Sequence, residues 1–130
     1  MTPELTYLAW SVALLLVHLV VMASFKTASI GLGYGLGPRD GDETPHDRTA
    51  QRLVRAFDNY RETWPAFIAL ALLIAVTNTG ASTTALGAAI WFWCRVAYVP
   101  IYAFGIPYIR TVVWAVSLIG LLMMLFPVLF

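Results

Sequence analysis

The sequence predicts an all-α membrane protein, a bundle of four transmembrane helices, and three observations carry that prediction. Its 130 residues are 60% apolar and 12% charged, against about 45 to 50% and about 25% in an ordinary soluble domain. No charged side chain falls between Leu5 and Phe25, Thr63 and Cys94, Val96 and Ile109, or Thr111 and Phe130, and runs of that length suit the thickness of a bilayer. The eight basic residues, Lys26, Arg39, Arg48, Arg52, Arg55, Arg61, Arg95 and Arg110, gather between the first two helices or near the junction of the last two.

The chain reads as one domain, 1–130, with helices over about 5–26, 48–77, 83–104 and 107–129, each bound good to a few residues. Met1 to Trp10 carries Glu4 and no basic residue, and the apolar run exceeds a signal-peptide core, so the N-terminus is expected to stay in the mature protein. The run from Thr63 to Cys94 is too long for one crossing. Turn formers from Thr77 to Thr84, with Asn78, Gly80 and Ser82 among them, divide it into the second and third helices. The other face of the membrane has Glu4 as its one charge. The positive-inside rule therefore places the first loop and the last junction in the cytoplasm and both chain ends on the opposite side.

The segment from Thr27 to Thr44 alternates Gly31, Gly33, Gly35 and Gly37 and continues through Pro38, Arg39, Asp40, Gly41, Asp42 and Glu43. With no Gly-Lys-Ser/Thr and no preceding strand it does not match a phosphate-binding loop, and it reads as flexible. Thr44, Pro45 and Asp47 have the pattern of an N-cap, a first-turn proline and an acidic third position opening the second helix.

Spacings of three, four and three put Arg52, Arg55, Asn59 and Glu62 on one face of the second helix, with Leu53, Phe57, Tyr60 and Trp64 opposite. Such a stripe serves either as a solvated face laced with ion pairs, since Asp58 and Glu62 lie three or four residues from Arg55 and Arg61, or as a ligand site. On the third helix Trp91, Arg95, Tyr98 and Tyr102 share a face. An arginine within an apolar run costs about 2.5 to 3.5 kcal/mol to insert, so Arg95 should snorkel to the headgroups or face a partner or wet cavity. Arg110 sits in the first turn of the fourth helix, past Pro107, where the helix dipole disfavours a cation and an anion would offset it. Together these residues compose a pocket for a polar anion. Arginine forks suit carboxylates, Glu62 suits an ammonium, and Asn59 both donates and accepts.

Two stretches, QRLVRAFDNYRETWPAF and RVAYVPIYAFGIPYIR, resemble the MAPEG family, the membrane-associated proteins of eicosanoid and glutathione metabolism, to which microsomal glutathione transferases belong. Arg52, Arg55, Ala56, Asn59, Glu62 and Pro65 match the family's Glu-Arg-x-x-Arg-Ala-x-x-Asn-x-x-Glu signature and the proline after it. Arg95, Tyr98, Tyr102, Gly105, Pro107 and Arg110 make the second match. Gln51, Phe57 and Thr63 depart from the pattern, each removing a polar handle. The resemblance implies a homotrimer in which glutathione, as cosubstrate, lies between neighbouring subunits. Arg52, Arg55, Asn59, Glu62 and Arg95 would hold it, Tyr98 and Tyr102 would line its other side, and Lys26 would replace a basic residue at the end of the first helix. Arg110 would stabilise the thiolate as the catalytic residue.

The function so implied is a glutathione transferase or peroxidase acting on a lipophilic electrophile that arrives from the membrane lipid. The competing reading is a non-catalytic membrane binding or scaffold protein that keeps the fold. A transporter is weaker, because the polar residues cluster at one depth. His18 and His46 lie too far apart in depth to pair on a metal, and the single cysteine, Cys94, excludes an internal disulfide framework. A net charge of +1 does not suggest nucleic acid as a partner.

Overall fold

The computed structural model describes residues 1–41 and 44–130 and is all-helical over them. The elements are α1 (Pro3–Ile30), α2 (Leu32–Leu36), α3 (Arg48–Thr77), α4 (Ser82–Ala103) and α5 (Pro107–Leu129). Three of them, α1, α4 and α5, are long and apolar enough to cross a membrane, with mean hydropathies of 2.2, 1.3 and 2.5 over their most apolar stretches. The long α3 differs because its first half carries Arg48, Arg52, Arg55, Asp58, Arg61 and Glu62.

Two details of the α1 to α3 connection correct the sequence reading. The glycine-rich segment is not a simple loop, for α1 runs on to Ile30 and the short α2 follows. Glycine disfavours helix by about 1 kcal/mol per residue, and the turn is short; after it the Tyr34 hydroxyl lies 2.9 Å from the Arg39 carbonyl oxygen and 2.6 Å from that of Gly41, folding the segment back locally. Asp42 and Glu43, assigned to the same loop from sequence, lie outside the described residues. The N-cap of α3 is Asp47, not Thr44, since its carboxylate accepts from the Ala50 amide at 2.9 Å. Ser29 Oγ receives the amides of His46 and Asp47 at 2.7 and 2.9 Å, fixing the start of α3 against the end of α1.

The other turns follow the residues that punctuate them. Asn78 ends α3 in the left-handed conformation, with φ 55°. Gly105, at φ 73°, makes the corner before Pro107 opens α5, a backbone state that a side chain disfavours.

The core lies between α3, α4 and α5, where Phe67 and Trp91 stack at 4.0 Å among Tyr60, Leu70, Ile74, Ala88 and Met124. α1 is tied on through Ser11. Its carbonyl accepts from the Tyr60 hydroxyl at 2.7 Å and its Oγ from Trp64 Nε1 at 2.9 Å. Val17 and Val20 on α1, and Val112, Leu122 and Phe126 on α5, stay exposed. Apolar surface of that extent marks contact with lipid or a partner.

Candidate functional site

A cavity of about 400 Å³ opens where the charged half of α3 meets the ends of α4 and α5 that adjoin their corner. From α3 it is lined by Arg55, Asp58, Asn59 and Glu62, from α4 by Tyr98 and Tyr102, and from α5 by Arg110, Thr111 and Trp114. The helical periods explain the convergence. Arg55, Asn59 and Glu62 recur at intervals of four and three, Tyr98 and Tyr102 at four, and Arg110 and Trp114 at four, so each helix presents one stripe.

Six of the nine residues singled out from sequence therefore share one cavity: Arg55, Asn59, Glu62, Tyr98, Tyr102 and Arg110. Tyr102 is its central aromatic. The Arg110 guanidinium carbon lies 4.7 Å from the centroid of its ring and that of Arg55 5.9 Å, while Tyr98 meets it edge-on at 5.5 Å. Two guanidiniums about one ring each gain modestly from its π cloud, which leaves their charge uncompensated. Among the described residues neither Arg55 nor Arg110 has a carboxylate within ion-pair distance, and the ion pair in this region joins Arg61 and Asp58 at 4.0 Å. The arrangement suits an anionic ligand.

The other three lie elsewhere. Arg95 is 1% exposed and stands behind the lining. Its Nη2 reaches the Asn59 carbonyl oxygen and Oδ1 at 2.8 Å each and Thr63 Oγ1 at 2.9 Å. Arg52 packs its guanidinium under the α4 to α5 corner, so close that a Cβ on Gly105 would fall 2.6 Å from its central carbon. Lys26 lines a separate cavity of about 270 Å³ with Met22, Ile30, Tyr34 and Arg39, at the end of α1. Spacing shows which residues share a face of a helix, not which neighbour that face meets.

Asp58, Thr111 and Trp114 line the cavity without having been assigned to it from sequence. Trp114 was within reach of the argument, because it stands one turn beyond Arg110 on the same face. Asp58 precedes Asn59 and was read as an ion-pair partner, which it also is. His18 faces the bundle, its ring 5.3 Å from that of Phe57 and 5.9 Å from that of Tyr60. Cys94 is free and half-buried.

No curated protein matches the chain. The profile of the MAPEG family matches residues 5–130, nearly the whole length and both stretches that build the cavity. The chain belongs to the MAPEG family, whose members are glutathione-related transferases and synthases of the membrane.

Proposed function

We propose that this protein is a membrane-embedded, glutathione-dependent enzyme of the transferase or peroxidase type. The observation that carries the reading is the convergence of Arg55, Asn59, Glu62, Tyr98, Tyr102 and Arg110 on one cavity. Its chemistry complements a tripeptide with two carboxylates, an ammonium and a thiol. Arg55 pairs with a carboxylate, Glu62 with the ammonium, and Arg110 faces the sulfur and favours its thiolate form. The thiolate then attacks an electrophilic carbon of a lipophilic substrate. A sulfur–carbon bond forms as the leaving group departs with its electron pair.

The same reading gives α3 a membrane crossing through its apolar half, four spans in all, with the glycine-rich segment cytoplasmic and both ends opposite. It also makes the protein a homotrimer with the ligand site shared between subunits. Lys26, which lines a different cavity within one chain, would then meet glutathione across a subunit boundary. Native mass spectrometry in mild detergent should count three chains, and a persistent monomer removes Lys26 from the site.

Isothermal titration of the detergent-solubilised protein with glutathione and with an S-alkyl glutathione tests the pocket. Turnover of glutathione with an apolar electrophile tests the chemistry. Binding without turnover on a broad panel of electrophiles and hydroperoxides would favour the binding or scaffold protein, and no binding of either glutathione or its S-alkyl form would remove the glutathione reading.

A further inference from the structure

Arg95 is the most deeply buried charge in the described chain that points toward the site, and the residues it touches show what it does there. Among the described residues its side-chain hydrogen bonds all run through Nη2, to the Asn59 carbonyl oxygen, Asn59 Oδ1 and Thr63 Oγ1. Its Nε and Nη1 are buried without a hydrogen-bond partner among the described residues. The guanidinium carbon lies 5.0 Å from the Tyr98 ring centroid and 5.9 Å from that of Tyr60. Tyr98 lines the cavity and Arg95 does not, so the cation stands behind the cavity wall.

This contact has a directional consequence. A guanidinium carries donors and no acceptor, whereas a carboxamide has one oxygen that accepts and one nitrogen that donates. Turning the Asn59 amide over would set its NH₂ against the donors of Arg95, leaving a buried cation facing a donor, which costs more than losing an ordinary hydrogen bond. The Asn59 oxygen is therefore committed to Arg95. Its Nδ2 is the atom left for the cavity that Asn59 lines.

We propose that Arg95 is a positioning residue, which clamps Asn59 so that its side chain offers the cavity a donor only, and that the ligand group meeting Asn59 is an acceptor, a peptide carbonyl or carboxylate oxygen. The ligand's ammonium is excluded from that point and left to Glu62 and Asp58. The clamp stands on the geometry alone, and only the identity of the ligand rests on the glutathione reading.

Substitutions at Asn59 separate the two. Asn59→Asp keeps the acceptor toward Arg95 and loses the donor toward the cavity, while Asn59→Leu loses both. In thermal unfolding of the detergent-solubilised protein without ligand, Asn59→Asp should melt at or above wild type and Asn59→Leu clearly below it. Equal losses in the two variants overturn the clamp, whether or not glutathione binds. In calorimetric titration Asn59→Asp should bind glutathione about tenfold or more weakly, the loss that goes with one hydrogen bond to a charged or strongly polar group. Wild-type or tighter affinity means that the amide faces the other way. Arg95→Lys should weaken binding in the wild-type background and add little to Asn59→Asp, because it acts through the same amide. Additive losses would show that Arg95 touches the ligand itself. If wild type binds no glutathione, the proposed function fails and the melting comparison still decides the clamp.

Discussion

Gly87 of α4 and Gly120 of α5 meet backbone to backbone, and a Cβ built on either would lie 2.6 Å from the other's carbonyl oxygen. No rotamer change relieves such an approach, because the obstacle is main chain. Small residues at a crossing are how membrane helices come close enough to pack without a hydrophobic drive. Gly87→Ala and Gly120→Ala should therefore each destabilise the bundle by about 1 to 3 kcal/mol, the usual range for overpacking. The effect should be larger at Gly120, where the added carbon also meets the Trp91 amide nitrogen at 2.9 Å. Unfolding in detergent measures it, and unchanged melting of both variants would mean that the helices separate freely at this crossing.

Orientation in the membrane is testable at Gly35. A Cβ there meets nothing within 4 Å among the described residues, so the position has room for a cysteine. In a Cys94→Ser background, Gly35→Cys is expected to escape an impermeant thiol reagent added to intact cells and to react once the membrane is opened. Labelling from outside would reverse the assignment that the basic asymmetry supports.

How far the sequence reaches is clear from particular residues. The ends of the long helices were legible because charge and turn formers punctuate apolar runs, as at Asn78 and Pro107. The polar stripe of α3 was legible because Arg55, Asn59 and Glu62 obey one helical period. Glu4 was not. It appeared only as a lone acid near the start of the chain, yet it is 2% exposed and accepts from Thr84 Oγ1 at 2.5 Å, tying α1 to the first turn of α4. Arg95 was legible only as a residue that snorkels to the headgroups or faces a partner or wet cavity, and its burial against Asn59 and Thr63 depends on how α4 meets α3. The glycines at 87 and 120 carry no periodic signal of their own, and only the crossing of α4 over α5 gives them a role.

Arg55 and Glu62 decide between a ligand site and a solvated face. The solvated reading is already met by Arg61 and Asp58, whose side chains are 63% and 59% exposed at 4.0 Å, a pair worth about 1 kcal/mol at most. Arg55 and Glu62 are exposed at the cavity. Arg55→Ala and Glu62→Gln should each weaken glutathione binding by about 1.5 to 3 kcal/mol, the range for hydrogen bonds to charged groups, with melting nearly unchanged. Unaltered binding with lower stability would return both residues to a structural role.

Arg110 carries the last prediction, that it lowers the pKa of bound glutathione's thiol, so that replacing it removes chemistry while leaving most of the binding. Its guanidinium is held over the Tyr102 ring at 4.7 Å within the cavity, at a helix start where an anion is favoured twice, by the dipole and by the side chain. A free thiol of this kind titrates at about 8.5, and bringing it to near 6.5 requires about 2.7 kcal/mol of preference for the thiolate. A cation about 4 Å away at an effective dielectric of about 20 supplies roughly 4 kcal/mol, which covers the need before desolvation is counted. The ultraviolet absorbance of the thiolate, followed against pH in the glutathione complex, reads the ionisation directly. Wild type should form thiolate well below the pH at which free glutathione does, and Arg110→Ala should not. Arg95→Lys, which disturbs the Asn59 clamp behind the wall, should weaken the complex but leave the pH of ionisation where it was. If instead Arg110→Ala ionises with wild type and Arg95→Lys does not, the cation that serves the sulfur stands on α4.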